Sequence, residues 1–299
     1  MAVGARRALP FPQRITRSEA ALPLGLLLPT VVFLSLLILV PVGQAVLLSF
    51  TAADGTIGLA AYQRMFNDIA FADSFRNTIL LLIAIVPIQV VLALAMALLI
   101  HSRFPGHGIF LYIYAIPLAI SDLAAGIVWL SIFTENGYLN TILTGLGIIK
   151  EPIQYLSYEN LQYTFIAIVV AESWRATALV LVILLAGLQL IPREYFEAAE
   201  VFGASRMRRT LQIVLPLLRP SLQSALIIRT IFAFNAFAVV LTLAGRQLPV
   251  LGYEAYDWYY NNRNDNVAAA FATLILVLTV TVTVAYLRLL RVRDVEIAR

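Results

Sequence analysis

Six stretches of this chain are apolar over lengths that match a lipid bilayer: about 23–50, 77–100, 108–133, 164–190, 219–245 and 267–290. A helix needs roughly 20 apolar residues to cross about 30 Å of hydrocarbon, and no other feature of the sequence restricts the fold as strongly. The expected class is an all-α, polytopic membrane protein with six transmembrane helices. Composition agrees, because only 13% of the 299 residues are charged, against roughly 25% in soluble domains. There is no cysteine, which excludes disulfides, thiolate metal sites and thiol nucleophiles.

Before the first run stand Arg6, Arg7, Arg14 and Arg17. A cleaved signal peptide carries an apolar stretch of about 7–15 residues, so a run from about 21 to 50 is better read as a retained first span. The remaining basic residues set an orientation. If the N-terminus is cytoplasmic, fourteen of the 21 Lys and Arg residues, from Arg6 to Arg299, fall on the cytoplasmic side. Only Arg64, Arg76, Lys150, Arg246 and Arg263 fall outside. The positive-inside bias therefore places both termini in the cytoplasm. It also divides the chain into a basic cytoplasmic tail (1–20), a transmembrane domain (21–291) with a cytoplasmic loop at about 191–218, and a short cytoplasmic tail (292–299). The net charge of +4 is spread over span ends and loops, a distribution that does not suggest nucleic-acid binding.

Local breakers refine the spans. Pro117 lies inside the third and predicts a kink, whereas Arg219-Pro220 at the start of the fifth is harmless. The outer loops 136–163 and 253–266 are polar and aromatic, which suits either a docking surface for a soluble partner or an interfacial aromatic belt.

The charged passage "EAAEVFGASRMRRTLQIVLP" (197–216) separates the fourth and fifth spans. Pro192 favours a helix start, and Glu194, Glu197 and Glu200 suit the N-terminal half of that helix. Gly203 can take the left-handed conformation that ends it. Ser205 is the N-cap of a second helix through Leu215, which Pro216 is expected to stop.

These residues carry a resemblance. Glu197-Ala198-Ala199, Gly203, and then Ile213-Val214-Leu215-Pro216 after nine residues resemble the EAA loop of binding-protein-dependent ABC import permeases. The lead-in "AGLQLIP" (186–192) is similar too. So, in chain order, are "GLAAYQRMFND" (58–68), residues 116–143 and "ESWRATALVLVILLAGLQ" (172–189). Together they cover about 22–290, and the best match is the carbohydrate-uptake group, on the side of its maltose-type first permease subunit. One departure is the stretch 237–252, which lacks the group's glycine run and has Ala238 where Asp is common.

The resemblance implies alternating access for a sugar or related polyol in the cytoplasmic membrane of a bacterium or archaeon. Its partners would be a second, related permease subunit, two ATPase subunits that bind ATP and Mg, an extracytoplasmic solute-binding protein, and membrane lipid. The chain has no GxxxxGK[ST] loop of its own, so an ATP motor would be a separate chain and this one would be non-catalytic. Glu197, Ala198, Ala199, Gly203, Ile213, Leu215 and Pro216 would form the coupling contact with it. The alternative for this loop is an interfacial amphipathic helix with its basic side to lipid headgroups. By the same resemblance Trp174, Arg175, Leu179, Arg229, Phe232, Ala233 and Ala236 would line the substrate path.

Arginine at mid-span costs roughly 2.5–3.5 kcal/mol on insertion scales, so Arg175 and Arg229 should face a partner or a wet cavity and not lipid. Glu172 and Arg175, at i and i+3, can pair on one face. Arg229, Phe232, Ala233 and Ala236 share a helical stripe by spacing. Two readings stay open for the arginines: substrate contact, or a structural ion-pair network with Glu172 or Asp122. Asp122 in turn is a counter-ion or a proton-relay acid, and an ion-coupled secondary transporter using Asp122 and Glu172 is the alternative function. His101 and His107 have no third ligand nearby, so no metal site is expected.

Overall fold

The computed structural model describes residues 17–52, 55–102, 104–234 and 236–290, with side chains from 25 onward. The tails predicted at 1–20 and 292–299 therefore lie largely or wholly outside the described residues, as do Arg6, Arg7, Arg14, Arg103, Arg291, Arg293 and Arg299.

Among the described residues the chain is helical, and an isolated bridge between Thr51 and Ile57 is its one β pairing. The helices are α1 (Arg17–Leu34), α2 (Val40–Ser49), α3 (Ala60–Phe66), α4 (Phe71–His101), α5 (His107–Ala115), α6 (Asp122–Phe133), α7 (Tyr138–Gly145) and α8 (Leu161–Gln189). After these come α9 (Arg193–Val201), α10 (Arg206–Arg209), α11 (Leu215–Leu217), α12 (Arg219–Phe234), α13 (Ala238–Leu243), α14 (Leu251–Tyr260) and α15 (Asp265–Leu289). Four helical segments are long and apolar enough to cross a membrane: 25–49, 71–101, 158–189 and 265–289. The count reaches six if two bent pairs are each one span.

The centre of the bundle is α8, which packs on α4, α12, α13 and α6. Ala93 and Ala97 of α4 are fully buried and let that helix close on Val180, Leu181, Leu184 and Leu188 of α8. Small residues at such seams replace the hydrophobic drive that lipid removes. At the far end of α8, Gly187 lies against Ser221 of α12: a Cβ there would meet the Ser221 Cβ at 2.6 Å and Leu218 Cδ1 at 2.9 Å.

Proline shapes the helices in two ways. Five-residue π-helical segments, Ser35–Leu39 and Thr210–Val214, end two positions before Pro41 and Pro216. Proline has no N–H to give and crowds the carbonyl four residues back, and a widened turn relieves both. The second effect is a break. Where the sequence predicts one kinked span over 108–133, α5 and its 3-10 extension Ile116–Ala119 meet the following helices at 103°. Ile120 is extended, and the Ser121 hydroxyl accepts the Ala124 N–H at 3.2 Å, capping a new helix with Asp122 in its first turn. The Ser-Asp pair restarts the chain where Pro117 alone would only bend it.

The expected fifth span is also divided. It runs as a helix only to Phe234, and α13 follows after a turn. Ala236 thus lies in that turn and does not continue the Arg229 stripe on α12. Nor does Pro216 stop the helix before it: helical structure continues to Leu217 and turns 73° into α12.

Candidate functional site

At mid-length of the bundle four helices contribute to one polar cluster. Arg229 of α12 and Glu172 of α8 are both 0% exposed, and Arg229 Nη2 donates to Glu172 Oε2 at 2.9 Å. Arg229 Nε donates to the Gln89 side-chain oxygen on α4, and Gln89 Nε2 donates to the Glu172 carbonyl at 2.7 Å. Arg175, one turn along α8, reaches Glu172 Oε2 at 3.2 Å and Asp122 Oδ1 of α6 at 2.7 Å. The charges alternate from Asp122 to Arg175 to Glu172 to Arg229, and the formal sum is zero. Such balance is what a low-dielectric interior requires, since an uncompensated buried charge costs several kcal/mol.

The structure therefore pairs both predicted mid-span arginines with the two predicted acids, and Asp122 is a counter-ion of Arg175. Around them Trp174 and Phe232 are exposed, Leu179 is half-buried, and Ala233 and Ala236 are buried. Gln89 was missed in the sequence reading. Its signal was present, because it is the one polar side chain between Thr78 and His101, and a polar residue at such depth needs a partner.

A second candidate site is the corner between α8 and α12. Helix α9 starts after Pro192 and ends in a Schellman motif: Gly203, at φ 70°, gives its N–H to Glu200 O and Ala204 gives its own to Ala199 O, both at 2.9 Å. Ser205 then accepts the Arg208 N–H at 3.3 Å, as its N-cap role predicts. Glu200 and Arg209 form an ion pair across the corner, and the Arg209 guanidinium lies 5.8 Å from the centre of the Phe196 ring. Phe196 packs against the buried cluster that includes Val214 and Leu218, and Ala199 is buried, so this face holds α9 to the bundle.

The opposite face is open. Glu197 and Ala198 are exposed, as is Gly203, while Val201 is 86% and Phe202 89% exposed. A cleft of about 530 Å³ lies between the two arms of the corner, with Tyr195, Ala198, Phe202, Arg208 and Ile213 in its walls. Leu215 is half-buried and Pro216 exposed beyond it. Two arms, a cleft and protruding apolar residues form a surface suited to another protein.

Beyond the spans, Arg246 donates twice to Asp257 at 2.9 Å, and Asn261 adds a bond at 2.6 Å. Burial pushes the Asp257 carboxyl up, but these donors outweigh it and hold it below the ordinary carboxylate range. Glu254, one turn away and buried, is pushed up to about 7 by desolvation, with Asp68 and Asp257 adding to the effect and Arg246 opposing it. Among the described residues no group of His, Cys, Asp and Glu could hold a metal ion.

Comparison with known proteins adds the following. Residues 89–293 match the model of the binding-protein-dependent transport system inner membrane component. A sulfoquinovosyl glycerol transport system permease from Agrobacterium fabrum is 33% identical over 281 residues, 90% of each chain. A trehalose/maltose transport system permease from Thermococcus litoralis is 31% identical, covering 92% of this chain and 95% of that one. A bacterial ABC transporter involved in import of the acidic polysaccharide alginate shares the fold, with a TM-score of 0.78 at 19% identity over 92% of this chain and 96% of its own.

Proposed function

The chain belongs to the family of binding-protein-dependent transport system inner membrane components, and we propose that it is the permease subunit through which an ATP-driven importer carries a sugar or related polyol. It is a transport subunit and not itself catalytic. The observation that carries the sugar reading is the set of relatives: permeases of sulfoquinovosyl glycerol and trehalose/maltose systems match over 90% or more of both chains, and one of a xylose/arabinose system over 69% of this chain and 66% of its own.

In this reading both termini and the α9–α11 corner are cytoplasmic, as the distribution of arginines favours. ATP-driven closure of two partner ATPases pushes on Glu197, Ala198, Ala199 and Gly203. The thrust passes along α10 and α11 to the 73° corner at Leu218 and into α12. Because α12 is tied to α8 at Gly187/Ser221 and again at Arg229/Glu172, a displacement at the corner is carried to the path residues Phe232, Ala233 and Ala236. A second, related permease completes the path, and an extracytoplasmic binding protein delivers the substrate. Arg175 and Arg229 hold the helices together, and the exposed Trp174 and Phe232 contact substrate.

The ion-coupled alternative needs Asp122 and Glu172 as proton or sodium sites. Both carboxylates are already engaged by arginines, which favours the ATP-driven reading. The test is uptake by proteoliposomes holding this chain, its partner permease, the ATPases and the binding protein. Uptake should require ATP and survive collapse of proton and sodium gradients. Uptake driven by a gradient without ATP would overturn the proposal.

A further inference from the structure

A second cleft, of about 560 Å³, opens at the end of the bundle where α8 begins. Helix α8 has 29 residues and is about 43 Å long, so this cleft lies a full span away from the α9–α11 corner. Its walls come from the end of α6, the loop before α8, and the end of α13 with the segment that follows it. Each wall is fixed by a specific contact. Asn140 accepts the Ile153 N–H at 3.0 Å and donates to Glu135 O and Ile153 O, folding the loop back on α6. Thr164 donates to Tyr155 O at 3.0 Å. Gly126 of α6 admits Thr242 of α13 so closely that no Cβ would fit between them.

Two features of the cleft point to a ligand. First, the neutral side chains of Thr134, Gln154, Ser157 and Gln247 line it, and the buried Gln247 Oε1 has no hydrogen-bond partner. Second, a continuous series of aromatic rings leads away from it. Tyr155 meets Phe133 at 5.9 Å, Phe133 stacks on Trp129 at 5.3 Å, and Trp129 meets Trp174 at 5.9 Å. Trp174 adjoins Arg175. Along this series the Trp129 Nε1 and Arg175 Nε donors are also buried without partners. Apolar rings interleaved with free donors and acceptors match the alternating CH faces and hydroxyls of a carbohydrate. Buried polar atoms are rarely left unpaired without a reason, and the volume falls in the ~300–1,000 Å³ range of small-molecule sites.

We propose that this cleft is a receiving subsite for a neutral sugar, from which the Phe133–Trp129–Trp174 series leads to the mid-membrane path. The proposal rests on the sugar-importer reading above. Neutrality follows from the lining, whose one charged side chain is Glu135 and which holds no basic residue to offset an anionic ligand.

The experiment uses the complete complex in proteoliposomes, with trehalose, maltose, xylose, arabinose, lactose and glucuronate as radiolabelled probes. Uptake and binding-protein-stimulated ATP hydrolysis are measured together. Wild type should carry at least one neutral probe. Gln247→Leu should lower its uptake at least fivefold with hydrolysis within twofold of wild type, and Gln247→Glu, which keeps an acceptor oxygen, should retain more than half. Trp129→Phe, which keeps a ring and loses the N–H, should lower uptake about threefold. Uptake by Gln247→Leu within twofold of wild type would overturn the subsite, as would hydrolysis falling in step with uptake. Glucuronate carried faster than every neutral probe would overturn its neutral character. Wild type carrying none of the probes would instead defeat the sugar-importer reading, and the subsite with it.

Discussion

Two polar regions of this protein are built by opposite means. The cluster of Gln89, Asp122, Glu172, Arg175 and Arg229 is centred on three fully buried side chains, Gln89, Glu172 and Arg229, whose bonds join residues 57, 83 and 140 positions apart. The α9–α11 corner lies at the surface, and its shape comes from contacts a few residues apart: Gly203 with Glu200, Ser205 with Arg208, Glu200 with Arg209. Loss of either member of the Arg229–Glu172 pair leaves a charge without solvent, whereas loss of a side chain on the corner's open face leaves only a smaller surface. The cluster should therefore be sensitive in stability, and the corner in coupling.

The largest stability effect is expected at Arg229. Arg229→Met leaves Glu172 buried with Arg175 as its remaining counter-ion, which should cost about 3–5 kcal/mol. Denaturant titration of the purified chain in detergent checks it. A double change, Arg229→Met with Glu172→Leu, should recover at least half of the loss, because it removes the stranded charge along with its partner. Next in size is Gly187→Ala, where the added methyl collides with Ser221; overpacking of this kind costs about 1–3 kcal/mol. Ser221→Gly in the same chain should restore most of it. At the corner, Gly203→Ala places a Cβ on a left-handed residue with open space around it. That substitution should cost only about 1 kcal/mol while lowering uptake far more than stability.

How much of this was legible in the sequence follows the same division. The corner could be read because Pro192, Gly203 and Ser205 each act within one helical turn, and α9 and the Ser205 cap stand where those residues put them. The identity of the ionic residues was legible as well, since four charges in apolar runs must face one another. Their pairing was not. Nothing in the spacing says that Arg229 reaches Glu172 or that Gln89 completes the set, because helix packing alone brings those positions together. The long apolar runs fixed the straight spans, but not the two broken ones. Pro117 was visible as a kink. The stronger break came from Ser121-Asp122, whose capping outweighs continuation of an apolar helix, and the end of α12 at Phe234 carries no proline or glycine to mark it.

A pH-dependent effect lies outside both regions, at Glu254. Its carboxyl is pushed up to about 7 by burial, so the fold favours the protonated form. Its contribution to stability is complete below the ordinary Glu value of about 4.5 and is lost as pH rises through about 7. Thermal melts of the wild-type chain should give a falling Tm from pH 5 to pH 8. Glu254→Gln should flatten that slope without altering the response of Arg229→Met, since the two sites share no partner.

The most direct measurement of the difference between cluster and corner is Glu197→Ala in the reconstituted complex, read for uptake, ATP hydrolysis and Tm together. The Glu197 side chain is exposed, so its truncation should leave unfolding free energy within about 0.5 kcal/mol of wild type. Uptake should nonetheless fall at least tenfold, with binding-protein-stimulated hydrolysis falling alongside it. Wild-type uptake and hydrolysis in that variant would contradict the assignment of this corner as the point where ATP-driven motion enters the permease.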